Sequence, residues 1–138
     1  SAASDVYKRQ GLRRTTSEGR LRWKAYLTAG SREDAERIRD FPVRVSDIDI
    51  FDHMNNSVYW SVVEDYLNSH PDLMRVPLRV TIEHDLPVAL GDKLEILQHT
   101  HPAGSTEKFG AELSDRSVTT LTYAVGDEVK AVAAIFPL

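Results

Sequence analysis

The sequence predicts an α+β domain in which one long central helix is wrapped by a curved antiparallel sheet of about five to six strands. Three observations lead there. Tyr59, Val62, Val63, Tyr66 and Leu67 fall at i, i+3, i+4, i+7 and i+8, one face of an amphipathic helix. Five strand-like runs follow, over residues 78–84, 93–99, 108–113, 118–125 and 129–136. Turn formers punctuate them: Gly91-Asp92 after the first, Pro102 and Gly104 after the second, and Gly126-Asp127 as a hairpin signal between the last two.

Taken in order, residues 1–10 read SAASDVYKRQ and show no periodicity. They match, residue for residue, the in-frame translation of a transposon adapter used to prepare sequencing libraries, and are set aside as a scar. On that reading the true start lies upstream. Residues 11–40 are rich in charge and poor in apolar pattern, and are expected to be a linker leaving a preceding domain. Within them, Ser31 followed by acidic residues suggests a short helical turn. The organised domain is expected over 41–138. It opens with Phe41-Pro-Val-Arg-Val, an alternating strand pattern, then a polar loop rich in turn formers. Asn55 or Asn56 is placed to cap the helix, which runs to about Leu67 and ends before Pro71.

Composition narrows the function. Of 138 residues, 41% are hydrophobic and 28% charged, as in an ordinary globular domain. A net charge of −4 argues against nucleic-acid binding, which needs a basic face. No apolar run reaches the roughly 20 residues of a membrane-spanning helix, so no membrane partner is expected. Without cysteine there are no disulfides, thiolate zinc sites or cysteine nucleophile, a composition that fits a cytoplasmic location. His70, His99 and His101 read as surface or loop residues, and their spacing suggests no metal site.

The chemistry concentrates in Asp47-Ile-Asp-Ile-Phe-Asp-His-Met-Asn-Asn-Ser-Val-Tyr-Trp. Acids, a histidine and two asparagines precede a helix N-terminus, whose free N–H groups and partial positive charge can stabilise an oxyanion. A carboxylate there can activate water or attack directly, and histidine can share the proton work. The same residues also suit plain structural duty as caps and Asx-turns.

This segment resembles the D-x-D-x-x-G-H-V-N-N-x-x-Y signature of hot-dog thioesterases. Asp47, Asp49, His53, Asn55, Asn56 and Tyr59 fall in register, with Met54 for the usual valine. Over roughly residues 21–138 the chain is similar, more narrowly, to the catalytic second hot-dog domain of acyl-ACP thioesterases. Trp23, Trp60 and the Glu64-Asp65 pair fit the pattern of similar bacterial proteins. The resemblance implies Asp49 as the catalytic carboxylate and His53 as the catalytic histidine. Glu83, at the end of the next strand, takes the family's glutamate position. Asn55, Asn56 and Tyr59 are expected at the substrate side. Three positions depart from the pattern. Phe51 stands where the family has a catalytic asparagine, Asp52 replaces a turn glycine, and His84 occupies a position often held by cysteine. By strand alternation Glu83 and His84 point to opposite faces, so only one of them faces the site.

The resemblance implies hydrolysis of fatty acyl-ACP to fatty acid and holo-ACP, with no cofactor. Two alternatives stay open: a single-domain acyl-CoA thioesterase, which Phe51 favours, and a noncatalytic acyl-binding or structural hot-dog half. A hydratase motif D-x-N-P-x-H is not matched. Expected partners are the acyl-ACP or acyl-CoA substrate and either a missing N-terminal hot-dog domain or a second copy. An acidic carrier protein would want a basic docking patch, for which Arg37, Arg39 and Arg44 are the candidates.

Overall fold

The computed structural model describes residues 30–106, 109 and 115–138. The adapter-like residues, residues 11–29 of the expected linker and most of the strand expected over 108–113 lie outside the described residues.

The elements are β1 (Arg37–Pro42), a 3-10 turn (Val45–Asp47), α1 (Asn56–Ser69), a second 3-10 turn (Pro71–Arg75), β2 (Leu78–His84), β3 (Lys93–His101), β4 (Val118–Val125) and β5 (Glu128–Pro137). The strands form one antiparallel sheet in the order β1-β3-β4-β5-β2. This is the expected hot-dog architecture. The helix is the only α-helix among the described residues, and none there is long and apolar enough to cross a membrane.

The helix forms where its apolar period begins. Asn55, in extended conformation, is the N-cap, and its side chain accepts a hydrogen bond from the Ser57 amide. His70 and Pro71 close the other end. The periodic face is the buried one: Tyr59, Val62, Val63 and Leu67 lie against Leu78, Val80, Ile96, Leu121, Ala133 and Ile135 of the sheet. Full burial of a valine such as Val62 or Val63 stabilises by about 1.5–3 kcal/mol. Tyr123 completes the seam, its hydroxyl donating to the Tyr59 carbonyl at 2.6 Å.

The parity of those core residues defines the two sheet faces. On β2, Leu78, Val80 and Ile82 face the helix, so His84 shares their side and Glu83 takes the other. The far face is also buried. It carries a second cluster of Phe109, Val118, Val132, Ala134 and Phe136, with Thr120 and Thr122 beside it.

Two expectations are corrected here. The first strand spans Arg37–Pro42 and not 41–45, so the last residues of the expected linker are sheet. Pro42 cannot donate to a ladder and ends β1 instead of opening it. His99 and His101 are not surface or loop residues. The strand continues to His101, and both rings are buried on the far face. His101 Nε2 meets Thr120 Oγ1 at 3.0 Å, and His99 Nε2 meets the Ser31 carbonyl at 2.6 Å. The chain before β1 runs so close over His99 that a Cβ on Gly30 would sit 2.5 Å from the ring. Arg32 fastens the same segment to Glu95 and to the Gly126 carbonyl.

Candidate active site

The loop between β1 and α1 is built by its own aspartates. Buried Asp47 accepts hydrogen bonds from the Arg44 amide and from Arg44 Nε and Nη2, at 2.9, 3.2 and 3.1 Å. That pairing holds the Asp47 carboxyl below its ordinary pKa. The loop then doubles back. Ile48 bridges Met54, Asp49 exchanges backbone bonds with its own turn, and the Asn55 amide donates to the Asp47 carbonyl at 2.7 Å. The Met54 amide donates to Val88 at 2.7 Å, which ties the loop to the segment after β2. At the apex Asp52 adopts φ 61°, the left-handed region that Asp tolerates better than most residues, in the place where the related signature has glycine.

Asp49 sits inside this turn. Its Oδ1 accepts the amides of Phe51 at 2.8 Å and His53 at 3.3 Å. Its Oδ2 takes no hydrogen bond among the described residues. The carboxylate is thus oriented through one oxygen and free at the other. It lies in a solvent-exposed cleft of about 410 Å³, lined also by His53, Met54, Asn56, Tyr59, His84 and residues 85–87. Asn56 is the first helical residue, and its N–H likewise has no partner among the described residues. One cleft is therefore lined by Asp49, His53, His84 and the first residue of the helix, Asn56.

Tyr59 and His84 form the wall. Their rings meet edge-on with centroids 4.6 Å apart, and Tyr59 also leans on Tyr123 at 5.1 Å. Burial pushes the Tyr59 phenol above its ordinary pKa, and its hydroxyl bonds to the Val88 backbone, so it stays neutral. The His84 side chain keeps solvent contact, and partial desolvation of its ring lowers its pKa, which favours neutral imidazole at pH 7.

The structure brings Asp49, His53, Asn56 and Tyr59 together. Asn55 caps the helix and does not line the cleft. Glu83 does not line it either, because its side chain is buried on the far face of the sheet. His84 stands in the cleft instead. The parity of Leu78, Val80 and Ile82 already carried that information, since an even position at the end of this strand shares the helix-facing side. The three arginines are not equivalent. Arg44 is engaged by Asp47, whereas Arg37 and Arg39 lie on the helix-facing side of β1. No group of three or more His, Asp or Glu among the described residues is arranged to hold a metal ion.

Residues 30–137 match the family model described as the acyl-ACP thioesterase C-terminal domain. The chain belongs to that family. Two curated relatives, both uncharacterised proteins of Mycobacterium tuberculosis strains, are 32% identical over 121 residues, covering 88% of this chain and 42% of their own length. The chain thus spans about two-fifths of the curated relatives it matches. Among solved structures, the 12:0-ACP thioesterase from Umbellularia californica superposes with a TM-score of 0.53 at 16% identity, over 78% of this chain and 37% of that one. A thioesterase from Thermus thermophilus, complexed with coenzyme A and zinc, gives 0.53 at 20% identity, over 77% and 82%. At these identities the superpositions establish the fold of this acyl-ACP thioesterase C-terminal domain.

Proposed function

We propose that this chain is the catalytic domain of an enzyme that hydrolyses fatty acyl-ACP thioesters to fatty acid and holo-ACP. The observation that carries the reading is the Asp49 carboxylate, pinned through Oδ1 and open at Oδ2, in one cleft with two histidines and a free helix-start amide. Membership of the acyl-ACP thioesterase C-terminal domain family supports the choice of acyl-ACP as substrate.

The reaction runs as follows. A thioester carbonyl lies with its oxygen at the Asn56 N–H, where the helix dipole also favours negative charge. Asp49 Oδ2 takes a proton from water as the water oxygen bonds to the acyl carbon, and the carbonyl electron pair moves onto oxygen. When the C=O re-forms, the C–S bond breaks and the thiolate recovers the proton from Asp49. Neutral His84 accepts a hydrogen bond from the attacking water, and His53 positions the leaving sulfur. No metal or organic cofactor enters the scheme.

The test compares wild type with Asp49→Asn on matched acyl-ACP and acyl-CoA. Asparagine keeps the Oδ1 acceptor that shapes the loop and removes the base. Turnover should fall about 10²–10⁴-fold, the usual contribution of a positioned base, with ACP preferred and the melting temperature unchanged. Equal use of CoA would move the protein to the acyl-CoA thioesterases. An Asp49→Asn variant as fast as wild type would leave the loop a structural Asx-turn and the domain a noncatalytic half.

A further inference from the structure

Tyr59 lines the cleft, yet it is only 3% exposed. Its polar atoms are already engaged. The hydroxyl is hydrogen-bonded to the Val88 backbone, and the carbonyl accepts the Tyr123 hydroxyl at 2.6 Å. Its ring leans on Tyr123, with centroids 5.1 Å apart. A side chain so enclosed has almost no surface left for a substrate. What it does present is its ring against His84, with planes at 83° and centroids 4.6 Å apart.

His84 depends on such a support. It is the last residue of β2 and keeps solvent contact. The amides of Asp85 and Leu86 both donate to the Lys130 carbonyl, at 2.8 and 3.1 Å, which fixes the main chain after it. Its ring makes no hydrogen bond among the described residues, so packing against Tyr59 is what selects its orientation. Tyr59 is in turn held by buried Val88, whose carbonyl also receives the Met54 amide at 2.7 Å. One residue thus anchors both the Asp49 loop and the ring that supports His84.

We infer that Tyr59 is a positioning residue for His84, acting through the imidazole it holds and not on the substrate. The inference deepens the hydrolase reading, in which His84 meets the attacking water, and rests on that reading for rates alone.

The test joins spectra, which need no substrate, to rates. In the 138-residue chain, the His84 ring signals are assigned with His84→Gln. Wild type should show nuclear Overhauser contacts between the Tyr59 and His84 rings. Tyr59→Phe keeps the aromatic edge and should keep the ring-current displacement of the His84 signals. Tyr59→Leu should lose that displacement and titrate His84 nearer its ordinary 6.5. Neither variant changes charge, so Asp49, His53 and Asp85 in the cleft and Asp92 near the phenol keep their influence on the imidazole. Leu67→Ala opens the same buried seam farther along the helix. It should lower the melting temperature and leave the His84 signals as in wild type. On acyl-ACP, Tyr59→Leu should lower turnover between about twofold and about tenfold, the worth of an aromatic contact, with KM unchanged. In a His84→Gln background it should add no further loss. The inference is overturned by absent ring-to-ring contacts in wild type or by His84 signals unmoved in Tyr59→Leu. Signals moved equally in Leu67→Ala overturn it too, as do losses from Tyr59→Leu and His84→Gln that simply add. A wild type inactive on every thioester sinks the hydrolase reading, while the spectra still decide whether Tyr59 places His84.

Discussion

Asn56 makes the clearest test of how backbone and chemistry are joined at a single residue. It is the first helical position, where an amide has no intrahelical acceptor and where proline is well tolerated. The preceding Asn55 sits at φ −63° and ψ 140°, a conformation that a following proline permits. Asn56→Pro should therefore leave the fold intact while deleting the N–H proposed to meet the oxyanion. Turnover should drop about 10²–10³-fold, as for loss of one oxyanion donor, while Asn56→Ala, which keeps the amide, should stay within a few-fold of wild type. Equal rates in the two variants would remove Asn56 from the mechanism. His84 offers a test without substrate. Its folded pKa lies below the ordinary 6.5, so between those two values the unfolded chain binds a proton that the folded chain refuses. Stability contributed by His84, small because the side chain keeps solvent contact, is present above 6.5 and is lost as pH falls through that window. His84→Phe keeps an aromatic edge against Tyr59 but cannot titrate. Its urea midpoint should fall less than that of wild type between about pH 7.5 and about pH 5. Parallel losses in the two proteins would mean that the ring titrates as it does in the unfolded chain.

At the level of elements, what was legible in the sequence tracks how strongly each pattern is tied to burial. The helix was plain because its five apolar positions all serve one buried seam, and an asparagine and a proline stand at its ends. The β4–β5 hairpin was plain because Gly126, at φ 60°, is the residue type such a turn requires. β1 was misjudged for a physical reason. Its helix-facing positions include Arg37 and Arg39, which line a cavity instead of filling a core, so the usual sign of an inward face is missing. β3 reached further than expected because His99 and His101 lie on a far face that is itself buried, where imidazoles bonded to Ser31 and Thr120 behave as core residues. The site was legible as a motif, since Asp49, His53, Asn56 and Tyr59 are neighbours in sequence and remain neighbours in the cleft. Its opposite wall arrives from β2, and the choice between Glu83 and His84 turned on which sheet face meets the helix. A resemblance alone did not decide that, whereas the parity of three apolar residues did.

For the molecule as a whole, the open question is what its two sheet edges do. Among the described residues, β1 and β2 each pair on one side only. The β1 edge is defended: Arg37, Arg39 and Asp40 place charge along it and Pro42 ends it, all devices that discourage strand addition. β2, reading Leu-Arg-Val-Thr-Ile-Glu-His, has no proline and keeps an apolar row toward the core. It also ends at His84, so a chain added there would lie beside the cleft. We therefore predict that the isolated chain self-associates through β2. A ladder along these seven residues makes roughly seven hydrogen bonds at about 0.5–1.5 kcal/mol each, against an association cost of about 4–15 kcal/mol. The two are close enough that pairing should be reversible and concentration-dependent. Sedimentation equilibrium should resolve monomer and dimer in the high-micromolar to millimolar range. Amide exchange should slow with concentration at alternate β2 residues, those whose N–H groups point away from β5, and not along β1. A chain that stays monomeric throughout, or that gains protection on β1 instead, would mean that the charge and proline of β1 are not what separates the two edges.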